Sequence, residues 1–200
     1  MKNMPDCVVV SAGRSLRMGE WKPGLAWGRA TVLIHAILEA QNAGCRVIVA
    51  GGYRYHDIEL MLRGIGNLTL IRVKRWRRGM GYTVRKSLAH VRSDAAFIQL
   101  ADMPLIEDRD YRRLVGEMES LDDEFGVIRP SYAGKPGHPV LISKDVIEYL
   151  RRSGDGHSVR GALENFPSRE IDWEHAGVVQ DIDTVKEYEK LKSLNSSLGE

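Results

Sequence analysis

The chain has 200 residues, with 29 Lys and Arg against 27 Asp and Glu, for a formal net charge of +2. That length suits one folded domain with a sizeable core, and the near-neutral balance argues against a polynucleotide partner. Two cysteines without CxxC or Cys/His spacing argue against structural zinc, and no apolar run approaches the ~20 residues of a membrane span.

The chain opens MKNMPDCVVVSAG, where a basic start meets an apolar run of only four residues, Cys7-Val8-Val9-Val10. That is too short for a secretory leader and is composed like a buried strand over 6–11, so cytoplasm is the expected compartment. The strand empties into Ser11-Ala12-Gly13-Arg14-Ser15-Leu16-Arg17-Met18-Gly19, followed by Lys22. Small residues let backbone N–H groups approach anionic oxygens, and Arg17 and Lys22 add positive charge, so the loop suits a triphosphate. Neither GxxxxGK[ST] nor a GxGxxG after the strand is present, which excludes a P-loop and a dinucleotide fingerprint. An ordinary strand-to-helix turn with exposed basic residues is the alternative.

Residues 31–43 carry Val32, Leu33, Ala36, Ile37 and Ala40 at helical spacing. A strand over 45–50, a helix over 56–63 and a strand over 68–73 follow. Lys74-Arg75-Trp76-Arg77-Arg78 is then a solvated basic loop, a loop at a nucleotide site, or a nucleic-acid surface. Further helices are expected over 81–92, 108–120 and 143–151, and strands over 95–100, 126–130, 138–142 and 168–172. A last helix spans about 184–194, and the tail from Ser193 to Glu200 reads as loose. Cys7 and Cys45 each begin an apolar strand, which favours buried thiols over a redox pair.

This alternation predicts an α/β fold in three layers, a mostly parallel twisted sheet with helices on both faces. One domain covers 1–200, with its core over about 6–192. Ligands of such sheets bind outside the carboxyl ends of the strands, where the Ser11–Lys22 loop and Asp102 both fall. A hard Mg²⁺ ion takes one or two carboxylates beside waters and phosphate oxygens. Asp102 can give one, and Asp181 or Asp183 a second from distant sequence. The bland readings are a turn residue before Met103-Pro104 and a helix N-cap in Asp181-Ile182-Asp183. His138, beside Pro139, reads alone as a turn or packing residue, and His157 and His175 show no partner spacing.

AGRSLRMGEWK resembles the loop AGxSxRMGxxK of the MobA-like nucleotidyltransferases, most closely the molybdenum cofactor cytidylyltransferase branch. Three further segments follow in that family's order: Leu100-Ala101-Asp102-Met103-Pro104 resembles GDMP, Gly137-His138-Pro139 its GHP, and Asp181-Ile182-Asp183-Thr184 with Tyr188 its DIDTPEDY. Weaker echoes are Gly79-Met80-Gly81 before a helix, and Gly154-Asp155-Gly156 with Arg160. Ala101, Val185 and Ser11 depart from the family's glycine, proline and alanine.

The resemblance implies a Rossmann-like fold of the nucleotide-diphospho-sugar transferase kind and Mg²⁺-dependent nucleotidyl transfer with release of pyrophosphate. It implies catalytic roles for Lys22, Arg17 and Asp102. It assigns the nucleotide to Ser11, Ala12, Gly13, Arg14, Ser15, Gly19, Lys22, Gly79 and Thr83, and the acceptor to Gly137, His138 and Pro139. Metal falls to Asp102, with Asp183 or Asp181 as partner. Ala12, where the guanylyltransferase branch has glycine, favours CTP over GTP by crowding a purine. The implied acceptor is a phosphorylated small molecule, molybdopterin foremost, with transient contact to a molybdoenzyme or its chaperone. The same chemistry with GTP or with a sugar or polyol phosphate, and a non-catalytic nucleotide-binding protein of this fold, are the alternatives.

Overall fold

The computed structural model describes residues 4–14, 18–120, 125–154 and 158–197, with side chains through Ser193. Strand β1 (Asp6–Ser11) is buried along most of its length, as its unbroken apolar run requires of a central parallel strand. A short hairpin, β2 (Ala26–Trp27) and β3 (Ala30–Thr31), leads into α1 (Val32–Asn42). Then come β4 (Val47–Gly51), α2 (Tyr55–Met61), β5 (Leu68–Arg72), α3 (Met80–Leu88) and β6 (Ala95–Leu100). The second half runs α4 (Asp108–Glu119), β7 (Val127–Tyr132), β8 (Lys135–Pro136), β9 (Val140–Ser143) and α5 (Lys144–Arg152). It ends with α6 (Val159–Leu163), β10 (Ser168–Asp172) and α7 (Val185–Ser197).

The main sheet has the order β10-β7-β9-β6-β1-β4-β5, with β8 added to β7. β1 pairs in parallel with both β4 and β6, so Val9 faces Val49 on one side and Gln99 on the other. β9 runs antiparallel to β6 and β7, which makes the sheet mixed but mostly parallel. Alternate residues point to opposite faces. Cys7, Val9, Val49 and Phe97 therefore meet Leu33 and Ile37 of α1 and Tyr111 and Leu114 of α4. Val8, Ile48, Ala96 and Ile98 meet Val84 and Leu88 of α3 and Val146, Ile147 and Leu150 of α5. Each such Leu or Ile, taken from water, stabilises the fold by about 1.5–3 kcal/mol before conformational entropy is counted.

A third apolar cluster fixes the site. Met18, Leu25, Trp27, Val32, Ile182, Tyr188 and Leu191 pack together, joining the β2–β3 hairpin to the start of α7. Tyr188 Oη donates to Ala26 O at 2.6 Å across that contact. The C-terminal segment is thereby held against the first strand's loop.

Several expected boundaries move. β4 starts at Val47 rather than 45, because Cys45 N still donates to Ala40 O at 3.0 Å as the chain leaves α1. The backbone of Ser193–Ser197, expected as loose tail, continues α7. Cys7 and Cys45 are both buried free thiols, and burial pushes Cys45 up to about 12, which leaves it unreactive.

Candidate active site

β1, β4 and β6 run in the same direction, so their carboxyl ends share one edge of the sheet. Backbone bonds bind the loops that leave them: Tyr53 N donates to Ala12 O at 3.0 Å, and Ala101 N to Val10 O at 3.1 Å. Gly13 and Arg14 are exposed above this edge, and a methyl group built on Gly13 meets nothing within 4 Å. Gly19 is exposed as well. Ser11 is buried at the strand end, and its Oγ has no hydrogen-bond partner among the described residues. Ser15, Arg17 and His157 lie outside the described residues. Ala101 places its methyl in the core on the α1–α4 face of the sheet.

Lys22 opens a 3₁₀ turn, Lys22–Gly24, whose Pro23 fixes the first step. Its side chain is nearly buried, and Nζ donates to Asp102 Oδ2 at 2.9 Å and to Asp183 Oδ1 at 2.7 Å. Asp102 lies just beyond β6. Asp183 is delivered by the neighbouring backbone: Ile182 N donates to Asp102 O at 2.9 Å while the Ile182 side chain is fully buried. Burial works against the Lys22 charge, but the bonds to Asp183 and Asp102 prevail and hold its pKa above the ordinary lysine value. The ammonium therefore stays protonated.

The helix-cap reading of Asp181-Ile182-Asp183 is settled by the next turn. Glu187 N donates to Thr184 Oγ1 at 3.2 Å, and Thr184 N donates to Glu187 Oε2 at 2.7 Å, a capping box whose capping side chain is Thr184, with Asp183 N also donating to Glu187 Oε2 at 3.1 Å. Asp102, Asp181 and Asp183 each offer a carboxylate oxygen within 4.8 Å of the others, a donor set suited to a hard divalent cation. Burial, then the charges of Asp183 and Asp102, raise the pKa of Asp181.

Gly137, His138 and Pro139 reach the same edge from β9. Gly137 N donates to Pro130 O at 2.8 Å, and His138 N to Val178 O at 2.8 Å. A Cβ on Gly137 would stand 2.2 Å from Val178 O, so only glycine permits this approach. His138 Nδ1 lies 3.1 Å from Ile98 O, which can only accept, so Nδ1 carries the proton and Nε2 is the acceptor. Burial lowers the His138 pKa, keeping the ring neutral. Gly79 precedes α3, and Thr83 is buried, with its N and Oγ1 donating to Gly79 O at 3.3 and 3.4 Å. The basic segment Lys74–Arg78 belongs to this edge too, since Trp76 reaches Gly52 at the end of β4.

One supporting group was not singled out from the sequence. Asp110, buried in the first turn of α4, accepts from Trp173 Nε1 at 2.8 Å and from His175 Nε2 at 3.0 Å. These bonds anchor the segment that runs on to Asp181 and Asp183. His175 thus helps to fix the backbone of this segment. The only sequence signal was an acidic residue three places after Glu107 at a helix start.

The chain matches known proteins along most of its length. The MobA-like NTP transferase domain corresponds to residues 7–171. The chain is 30% identical over 183 residues to the molybdenum cofactor cytidylyltransferase of Escherichia coli (strain K12), covering 92% of this chain and 93% of that protein. Among solved structures, Rv0371c from Mycobacterium tuberculosis H37Rv superposes with a TM-score of 0.78 at 25% identity, covering 96% of this chain and 99% of that one. A nucleotidyl transferase from Methanothermobacter thermautotroptrophicus gives a TM-score of 0.82 at 19% identity, covering 98% and 99%. The fold is that of the nucleotide-diphospho-sugar transferases, and the chain belongs to the MobA-like NTP transferases, a family of nucleotidyltransferases.

Proposed function

We propose that the protein transfers CMP from CTP to the phosphate of molybdenum-loaded molybdopterin in a Mg²⁺-dependent reaction, releasing pyrophosphate in the cytoplasm. The observation that carries this reading is the double contact of Lys22 with Asp102 and Asp183, which gathers a cation and two metal-type carboxylates at the carboxyl edge of the sheet. The kinship with a cytidylyltransferase supports the choice of CTP and molybdopterin.

In this reaction a phosphate oxygen of the acceptor forms a bond to the α-phosphorus of CTP. The bond from that phosphorus to the bridging oxygen of the β-phosphate breaks, and pyrophosphate leaves with the electron pair. Two anions must be aligned, and the charge growing on the leaving group must be neutralised. Backbone N–H groups of Ala12 to Arg14, with Gly19, cradle the triphosphate, and Lys22 and Arg17 face its charge. Gly79 and Thr83 border the nucleoside. Gly137, His138 and Pro139 hold the acceptor, where the unprotonated His138 Nε2 accepts a hydrogen bond. Asp102 and Asp183, with Asp181 beside them, would hold Mg²⁺, which when bound would supply positive charge to neutralise the phosphates. Delivery of the product by transient contact with a molybdoenzyme or its chaperone completes the reading.

Pyrophosphate release tests it, measured with Mg²⁺ and molybdenum-loaded molybdopterin and CTP, GTP, ATP or UTP in parallel. Release with CTP alone is expected. Preference for GTP would overturn the base, silence despite CTP binding would overturn the acceptor or the activity, and no nucleotide binding would overturn the whole assignment.

A further inference from the structure

We infer that Trp76 is the wall against which the nucleobase is selected, and that Ala12 influences base choice by holding Trp76 rather than by touching the base. This rests on the nucleotide reading above and goes beyond it by naming where selectivity is set. Trp76 opens the turn Trp76–Arg78 that follows β5, inside the basic segment. It is half-buried, on the same side of the sheet as Val10 and Tyr82.

Gly52 locates the contact. A Cβ placed on it would lie 2.7 Å from Ala12 O, 2.7 Å from Trp76 Cβ and 2.8 Å from Ala12 Cβ. The ends of β1 and β4 and the base of the indole therefore meet at one point that admits no further atom. Ala12 is only 4% exposed, and its methyl packs at Gly52, the same glycine that Trp76 Cβ approaches. The direct crowding of a purine expected from the sequence gives way to an indirect route. Ala12 acts as a spacer that sets how far the indole stands from the exposed Gly13 and Arg14.

The indole is held from other sides too. Tyr53 meets it edge-on at 5.8 Å between ring centroids, and the Arg77 guanidinium lies 4.7 Å from the ring centre. Trp76 O accepts from Gly79 N at 3.1 Å, and Gly79 O in turn accepts from Thr83 N at 3.3 Å. Trp76 thus joins the phosphate loop to the segment that borders the nucleoside. A flat aromatic surface suits any base, so its distance from the loop, rather than its chemistry, discriminates between ring sizes. A change the size of one methyl group in such a pocket alters discrimination by about 10–200-fold.

The test is a double-mutant cycle on base preference. The ratio of kcat/KM for CTP to that for GTP is measured in the wild type, Ala12→Gly, Trp76→Ala and the double variant. Each single change is expected to shift the ratio by about tenfold or more, and the double variant no further than the larger single effect, because both act through one contact. Trp76→Phe, which keeps a ring, should restore most of the ratio, and Trp76→Leu, which keeps bulk without a flat ring, replaces Trp76→Ala if that variant does not fold. An unchanged ratio in folded Trp76→Ala or Trp76→Leu overturns the proposal, as do single effects that multiply in the double variant. Titration of the wild type with CTP and GTP separates the two levels. Binding with an unmoved ratio defeats only the role of Trp76, whereas binding of neither nucleotide defeats this proposal and the nucleotide reading together.

Discussion

Lys22 Nζ lies 2.7 Å from Asp183 Oδ1, although 161 positions separate the two residues in the chain. The contact is the product of two independent placements. Trp27, Val32 and Leu25 bury themselves against Ile182, Tyr188 and Leu191, which draws the start of α7 onto the β2–β3 hairpin. The bond from Ile182 N to Asp102 O then sets the aspartate in register with β6. Hydrophobic burial thus supplies the approach, and one backbone bond supplies the alignment.

Lys22→Ala should lower turnover by about 10²–10³, the cost of removing a charge that faces a developing anion. The fold should persist, because Asp102 and Asp183 are only partly buried and can turn to solvent. Steady-state kinetics beside circular dichroism checks this. Near-normal rates would remove Lys22 from the chemistry.

Asp102→Asn and Asp183→Asn should each weaken Mn²⁺ binding by about tenfold or more, read by electron paramagnetic resonance without any substrate. Asp181→Asn should weaken it least, since Asp102 and Asp183 are the pair directed onto Lys22. An equal loss in all three would make Asp181 a full ligand.

These residues were legible in the sequence because each sits in a local motif: Lys22 after a glycine loop, Asp102 after a strand, Asp183 before a helix. Their mutual geometry was not, since it depends on packing between Trp27 and Ile182 that no local pattern encodes. The orientation of β9 was equally hidden, because an apolar run carries no direction. The hairpin at Ala26–Thr31 has strands of two residues, too short to show alternation. Ala12 is the instructive case: its place beside the loop was readable, but only the close approach of Gly52 and Trp76 shows where its methyl points.

Gly137→Ala should reduce both stability and activity. The added carbon would meet Val178 O at 2.2 Å, a backbone atom of the segment leading to Asp181 and Asp183. Relief requires that segment to move, so the melting temperature should fall by several degrees, equivalent to about 1–3 kcal/mol. Wild-type stability and turnover would show that the segment yields freely.

Asp110 should make the fold sensitive to acid. Burial opposes its charge, but bonds from His175, from the Glu107 backbone N–H and from Trp173 prevail and depress its pKa. A carboxylate whose folded pKa lies below its unfolded value stabilises the fold above the ordinary carboxylate range. That contribution is lost as the pH falls through the depressed value. The wild type should therefore lose melting temperature between about pH 5 and pH 2 more steeply than Asp110→Asn, which cannot ionise. Parallel curves for the two would contradict the role of the carboxylate.

The most direct test of nucleotidyl transfer follows the α-phosphorus itself. CTP labelled at that position is incubated with Mg²⁺, molybdenum-loaded molybdopterin and enzyme, wild type or Asp102→Asn. Label is expected in a cytidylylated acceptor, with one pyrophosphate released per acceptor consumed, and both should be lost in the variant. Label recovered only as free CMP, or equal transfer by Asp102→Asn, would contradict the proposed transfer.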